Sequence, residues 1–259
     1  MTPINASLIL LLKNFTIENA LKIDFCRNTI ESWYQDTVIN DDEYYYLLAA
    51  LINAVPFVSN TTGTYGAFLK KWDKRAYKPL YLDPPNIEST YDNICYNVDS
   101  IKLIDQLKHI DICYIDTPYN TRQYPSNYHV LEMIAKWDKP SLKGVTGQPN
   151  LNNEKSDFAV KRKAYAAMDK LLSKLRSSHA IISYSTDGII PNTTEEYTFV
   201  YRKYKSKIHN DNPVKEILFY FQPQLGKRYK QESLSFNKAS IKNNVPIKGY
   251  IKSPLNYVG

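Results

Sequence analysis

The sequence predicts an α/β protein whose sheet ends in an antiparallel hairpin, and three observations carry that prediction. From Ile94 onward, short apolar runs of strand length alternate with helical segments. Two runs of alternating polarity, Tyr197–Lys205 and Val214–Phe221, flank the turn-forming stretch Asn210-Asp-Asn-Pro213. An apolar run, Ile112–Ile115, leads straight into an aspartate, and open α/β sheets hold their ligands at the carboxyl ends of strands.

Taken along the chain, residues 16–35 read as a helix. Thr16 is placed to cap it, and Ile17, Ala20, Leu21, Ile23, Phe25, Ile30 and Trp33 form a rough apolar stripe. A second helix runs from Asp41 to about Ala54, its first turn carrying Asp41, Asp42 and Glu43, which suit the positive end of the helix dipole. Ser59 to Gly66 is small and polar and reads as a loop. The basic aromatic segment Tyr65–Arg75 follows, and Pro79, Pro84 and Pro85 argue against regular structure between 78 and 90. Further on, the pattern predicts a strand at Ile94–Val98, a helix at Ser100–Lys108, a buried strand at Ile112–Ile115, a basic amphipathic helix at Ser156–Arg176 and an apolar strand at Ala180–Tyr184. The closing hairpin makes an antiparallel edge on the sheet.

Bulk properties set the frame. A chain of 259 residues is long enough for a sizeable core. The net charge of +7 suits a polyanionic partner without requiring one. The three cysteines, Cys26, Cys95 and Cys113, have no metal-ligand spacing and read as reduced thiols of a cytoplasmic protein. The apolar run Leu8–Leu12 is too short to span a membrane, so no membrane association is expected. The 22 tyrosines suit base stacking and plain β-structure equally. The eight glycines are few, since average usage of roughly 7% would give about 18. Residues 223–259 hold seven Lys or Arg against the single acid Glu232, and read as a basic tail.

The segment with chemical content is Asp116-Thr-Pro-Tyr119. The exocyclic amine of a nucleobase is a poor nucleophile, because its lone pair is delocalised into the ring. Two acceptors on its two hydrogens favour the pyramidal geometry and stabilise the positive charge that develops as a methyl group arrives. The Asp116 carboxylate can be one acceptor. The carbonyl of Thr117, its direction restricted by Pro118, can be the other. Tyr119 offers a flat face to a base swung out of the duplex. The plain alternative is an aspartate capping a turn after a strand.

Asp116-Thr-Pro-Tyr-Asn-Thr-Arg-Gln-Tyr-Pro-Ser-Asn-Tyr-His129 resembles motif IV of the adenine-specific DNA methyltransferases of the Dam-like and FokI-like classes, whose signature is (Asp/Asn/Ser)-Pro-Pro-Tyr. Thr117 departs from the commoner proline, at a position whose role belongs to the carbonyl. Asp at the first position points to DNA adenine, since the Asn form is shared with enzymes that act on protein glutamine or on guanine in RNA. The likeness runs from about residue 14 to about residue 222, and includes the upstream Tyr65-Gly-Ala-Phe-Leu-Lys-Lys-Trp-Asp73. It implies a Rossmann-like methyltransferase sheet with a helical DNA-recognition segment. The implied reaction is transfer of a methyl group from S-adenosyl-L-methionine to the amino group of adenine in double-stranded DNA, in a restriction-modification system.

The resemblance divides the chain into a DNA-recognition segment (1–92), a catalytic core (93–222) and the tail (223–259). It implies catalytic roles for Asp116, Thr117, Pro118 and Tyr119, and cofactor contact at Asp116 and Asp99. Asp99 can equally cap the helix that follows it, and both roles can hold at once. It implies DNA contacts at Arg122, Tyr124, Asn127 and Tyr128, with His129 a structural or DNA-contacting residue rather than a general base. Two basic clusters, one with Lys70, Lys71, Lys74 and Arg75 and the other with Arg202 and Lys205, read as phosphate contacts or as solvated charged faces. No metal is implied. Asp83-Pro-Pro-Asn86 matches three motif letters but lacks a stacking face, and reads as a proline-rich loop.

One expected element is missing from the sequence. The family opens with a Phe-x-Gly-x-Gly motif that lets the backbone approach the cofactor, and nothing before residue 93 fits it. The expectation is a sheet incomplete on its N-terminal side. The chain would then be a truncated or split-enzyme subunit that binds DNA and needs an upstream segment or separate chain to supply that motif.

Overall fold

The computed structural model describes residues 13–87, 93–151, 154–190, 198–204 and 214–223, the side chains of 198–204 and 214–217 excepted. The turn at 210–213, Lys205 and the tail beyond 223 lie outside the described residues. The described residues fall into two compact units. One is drawn from Met1–Leu103, Thr117–Met168 and Asp187–Ile190, the other from Ile104–Asp116, Asp169–Thr186 and Pro191–Gly259. The peptide bond between Asp116 and Thr117 is therefore a point where the chain passes from one unit to the other.

The first unit is mainly helical. Helix α1 (Ile17–Gln35) starts where expected, with the Thr16 side chain accepting from Asn19 N at 3.3 Å. Helix α2 (Asp41–Ala54) opens on a reciprocal capping box between Asn40 and Glu43, with bonds of 2.9 and 3.0 Å. It tightens into a 3-10 turn at Val55–Val58, where Pro56 suits the opening of a new helical turn. Only part of the stripe expected on α1 is covered: Ala20, Ile23 and Ile30 are buried, while Ile17, Leu21, Phe25 and Trp33 are exposed. The core gathers Phe15, Ile23, Ile30, Leu51, Val55, Val58 and Tyr65 around Val130 and Ile134 of a later helix.

Two interior polar residues organise this unit. Asn19 donates to Ala76 O at 2.9 Å and Lys78 O at 2.8 Å, tying α1 to the basic aromatic segment. Arg27 is almost fully buried. It donates to Ile134 O (2.7 Å) and Tyr44 Oη (2.9 Å), and pairs with Glu31 (2.8 Å).

Between residues 93 and 108 the structure corrects the sequence. Residues 94–98 form no strand, and Ile94, Tyr96 and Val98 are exposed. Their alternation is genuine, but a strand needs a hydrogen-bonded neighbour, and none of the described strands pairs with this segment. The helix expected over 100–108 is a single turn, α3 (Ser100–Leu103).

The second unit is built on a four-stranded sheet. Strands β1 (Ile110–Asp116), β2 (Ser177–Ser185), β3 (Thr198–Tyr204) and β4 (Val214–Phe221) lie in the order β1-β2-β4-β3. β1 and β2 are parallel; β4 is antiparallel to both β2 and β3. The hairpin is thus present, with its second strand inserted against β2 and its first at the edge. Paired residues share a face. Ile115, Ala180, Ile182 and Phe219 on one face are buried, whereas Ile112 and Tyr114 on the other are 64% and 57% exposed.

Two further helices complete the described chain: α4 (Tyr124–Lys136) and α5 (Ala164–Lys174). The long helix expected over 156–176 is interrupted. Asp157–Ala159 is a 3-10 turn, and Val160 turns extended (φ −112°, ψ 110°) before α5 begins. No helix among the described residues is long and apolar enough to cross a membrane.

Candidate active site

Strand β1 ends on Asp116, paired in register with Ser183 of the parallel strand β2. The carboxylate thus stands, exposed, at the carboxyl end of a parallel pair. Thr117 follows and is buried at 8% exposure, while Pro118 and Tyr119 are half-buried. The Thr117 Oγ1 atom has no hydrogen-bond partner among the described residues.

Downstream, the backbone is held by a series of specific bonds. Tyr119 O accepts from Ile189 N at 2.8 Å. Asn120 Oδ1 accepts from Arg122 N at 2.9 Å, a side-chain turn that redirects the chain toward α4. Gln123, the N-cap residue of α4, exchanges two bonds with the backbone of Ser156, at 3.1 and 2.8 Å. The helix kinks at Tyr128 (φ −118°, ψ 16°), and its first turn takes partners from elsewhere. Asn127 O accepts from Tyr65 N at 2.7 Å, and Ser126 O accepts from Gln148 Nε2 at 3.3 Å. Gly66 sits against this turn: a Cβ there would meet Ser126 O at 3.4 Å.

His129 is fully buried, with Nδ1 at 3.1 Å from Ser126 O and Nε2 at 2.9 Å from Thr146 O. The buried ring thus ties α4 to the tight hairpin Lys143–Gln148. Gly144 and Gly147 take positive φ (71° and 63°) in that hairpin, a conformation glycine adopts without strain.

The other residues singled out in the sequence lie as follows. Asp99 is exposed and caps α3, its Oδ1 accepting from Ile101 N and Lys102 N, both at 3.1 Å. Lys70, Lys71 and Lys74 are exposed, with Trp72 and Tyr77 beside them, ring centroids 5.9 Å apart. Arg75 turns toward its own loop, donating to Ser59 O (3.1 Å) and to Thr61 O and pairing with Asp73 (3.6 Å). Arg122 is exposed, and so are Tyr124 and Tyr128, which meet edge to face at 5.9 Å. The backbone of Arg202 lies in β3; its side chain and Lys205 lie outside the description. Asp83-Pro-Pro-Asn86 has no regular structure.

Sequence reasoning did not single out Asn60. It is buried at the base of the 59–66 loop, donates to Lys13 O (3.2 Å) and Leu69 O (3.0 Å), and accepts from Asp73 N (3.0 Å). Nor did it find Gln123 or Gln148. A polar residue in a polar loop gives no local signal of the backbone groups it will meet.

Comparison with known proteins shows the family. The family model of the D12 class N6 adenine-specific DNA methyltransferases matches residues 10–187. The chain is 43% identical over 260 residues to the modification methylase StsI of Streptococcus sanguinis, covering 94% of this chain and 39% of that protein. It is 42% identical over 261 residues to the type II methyltransferase M.FokI of Planomicrobium okeanokoites (95% and 40% covered). It is 38% identical over 177 residues to M.NlaIII of Neisseria lactamica (68% and 52%). The chain thus spans 39% and 40% of the length of the first two of these relatives. No solved structure matches it significantly. With a family model covering most of its length and an aspartate-led motif at the end of its first parallel strand, the chain belongs to the D12 class of N6 adenine-specific DNA methyltransferases.

Proposed function

We propose that the chain transfers the methyl group of S-adenosylmethionine to the exocyclic amine of adenine in double-stranded DNA, as the modification activity of a restriction-modification system. The observation that carries this reading is the position of Asp116 at the carboxyl end of the parallel pair β1–β2, with Thr117, Pro118 and Tyr119 directly after it. The Asp116 carboxylate and the Thr117 carbonyl accept the two amine hydrogens and direct the lone pair toward the incoming carbon. Pro118 restricts the carbonyl's direction, and Tyr119 stacks on the base. No general base is needed, because the amine sheds its proton after transfer.

Bound S-adenosylmethionine supplies the electrophilic methyl group. Asp99, exposed and capping a one-turn helix, would offer an acceptor to the adenine amine of the cofactor, the role that the family resemblance implies for it. Residues 1–92 serve recognition of the DNA, 93–222 the catalysis. Lys70, Lys71, Lys74, Arg75, Arg122, Tyr124, Asn127, Tyr128, Arg202 and Lys205 serve contact with the duplex. Replacing Asp116 by Ala abolishes methyl transfer and leaves DNA affinity within a few-fold, because the carboxylate acts on the reacting amine. Undiminished turnover in that variant would refute the assignment.

A second reading is favoured by β1 itself. Among the described strands it pairs only with β2, and Ile112 and Tyr114 are exposed. A parallel strand is ordinarily covered on both faces. On this reading the sheet is completed at β1 by further polypeptide carrying the glycine-rich cofactor motif, in the same protein or in a separate one. The chain by itself then binds S-adenosylmethionine weakly, and the added segment restores binding. Tight stoichiometric binding in a calorimetric titration of the chain alone would refute this.

A further inference from the structure

We propose that the hydroxyl of Thr117 donates a hydrogen bond to ring nitrogen N1 of the target adenine. One residue then meets the base twice, at the amine through its carbonyl and at the neighbouring ring atom through its side chain. This rests on the adenine methyltransferase reading and extends it to a residue that positions the base and disfavours guanine.

The starting observation is an orphan. Thr117 is more than nine-tenths buried, and its Oγ1 has no hydrogen-bond partner among the described residues. A hydroxyl taken out of water without a partner carries a penalty that a bonded hydroxyl does not. Valine would fill the same volume without it, and proline is the commoner residue in the motif this segment resembles. The hydroxyl is therefore a cost to the free protein that a ligand can offset.

The geometry of a single residue narrows what that ligand is. Its carbonyl oxygen and its Oγ are only a few bonds apart, so an object that touches one lies within reach of the other. On adenine, the atom next to the amine-bearing carbon along the pairing edge is N1, a lone pair with no hydrogen. Bases swung out of a duplex are read along that edge. Guanine presents an N1–H there, so a donating hydroxyl favours adenine over guanine, while cytosine, with N3 beside its amine-bearing carbon, is told apart by the size of its ring. The second bond also stops the ring from rotating in its own plane about the amine, which keeps the nucleophile aimed.

The test is a thermal-shift titration of the full chain with adenosine and with 1-deazaadenosine, which lacks the ring nitrogen. A ligand that binds only the folded form raises the melting temperature according to its affinity. The wild-type chain binds adenosine more tightly, by about three- to tenfold, the range of one neutral hydrogen bond. Thr117→Val abolishes the preference without melting below the wild type, and Thr117→Ser restores it. A wild-type chain indifferent to the missing nitrogen, or a valine variant that still discriminates, overturns the proposal. Labelled methyl transfer to DNA, run in parallel, separates the two claims. Methyl recovered on adenine without dependence on N1 refutes the hydroxyl's role and leaves the methyltransferase reading standing. Methyl recovered only on another base refutes both.

Discussion

Replacing Arg27 by Ala is expected to destabilise the chain by about 3–5 kcal/mol, the range for deleting a large buried side chain together with the hydrogen bonds of a charged donor. The structure shows where that loss originates. Arg27 bonds to the last-turn carbonyl of Ile134 and to the Tyr44 hydroxyl, each contributing about 1.5 kcal/mol, the low end for a charged donor. Its pairing with Glu31 adds less, because that carboxylate is 31% exposed and retains water. The remainder is stacking. The guanidinium lies 5.2 Å from the ring of Trp137 and 5.6 Å from that of Tyr44. Trp137 is the C-cap of α4 with φ at 55°, a left-handed conformation that costs a non-glycine residue energy and persists only where its surroundings hold it. Urea titration followed by tryptophan fluorescence checks the figure. With a slope of about 2 kcal/mol per molar, the midpoint falls by about 2 M. Glu31→Gln is the control and loses less than about 1 kcal/mol. A loss below about 1 kcal/mol for Arg27→Ala would mean that this buried cation does not hold the end of α4, and the reasoning would fail.

Three other outcomes are expected. Tyr119→Ala loses far more methyl transfer than Tyr119→Phe, since stacking, worth about 1–3 kcal/mol, needs the ring and not the hydroxyl; equal losses would assign chemistry to the hydroxyl. Reversing Lys70, Lys71 and Lys74 to acids weakens binding to all DNA sequences and flattens its salt dependence, and an unchanged slope in a filter-binding series would return these lysines to a solvated face. Burial raises the pKa of the Asp24 carboxyl, with Lys139 and Asn28 opposing the rise. A carboxyl raised on folding favours the folded state below its unfolded pKa and loses that contribution as pH climbs through its folded value. Asp24→Asn is therefore more stable than the wild type at pH 7, with the advantage shrinking in acid; melting curves across that range that stay parallel would contradict it.

What the sequence made legible was what local chemistry decides. Thr16 marks a helix start because a cap acts within three residues, and Asp41, Asp42 and Glu43 mark the next because acids favour the first turn. Val214–Phe221 was read to the residue because its alternation ends where its pairing does. The place of Asp116 at the end of a strand is legible because the apolar run and the carboxylate are contiguous in the chain. Elements whose fate depends on distant partners were misread. Ile94, Tyr96 and Val98 alternate as a strand should, yet no described strand accepts them. The break at Val160 lies inside a good helical pattern. The bonds from Gln148 and Tyr65 that hold the first turn of α4, and the bond between His129 and Thr146 O, join residues far apart in sequence, so no window along the chain reveals them.

The order of strands in the sheet also sets a timetable. Asp116 is aligned by pairing with Ser183, and β2 is in turn flanked on its other side by β4. While the chain is being synthesised, α1 and α2 can find each other as soon as residue 58 has emerged, since their contacts are local. The strand that bears the carboxylate must wait for residues 177–185, and the central position of β2 is not closed until 214–221 arrive. Long-range parallel pairing of this kind is slow, because loop closure must come before any contact rewards it. A ribosome stalled between the two strands would hold α1 and α2 beside an unaligned Asp116, so the position of this carboxylate is fixed only after β2 has emerged.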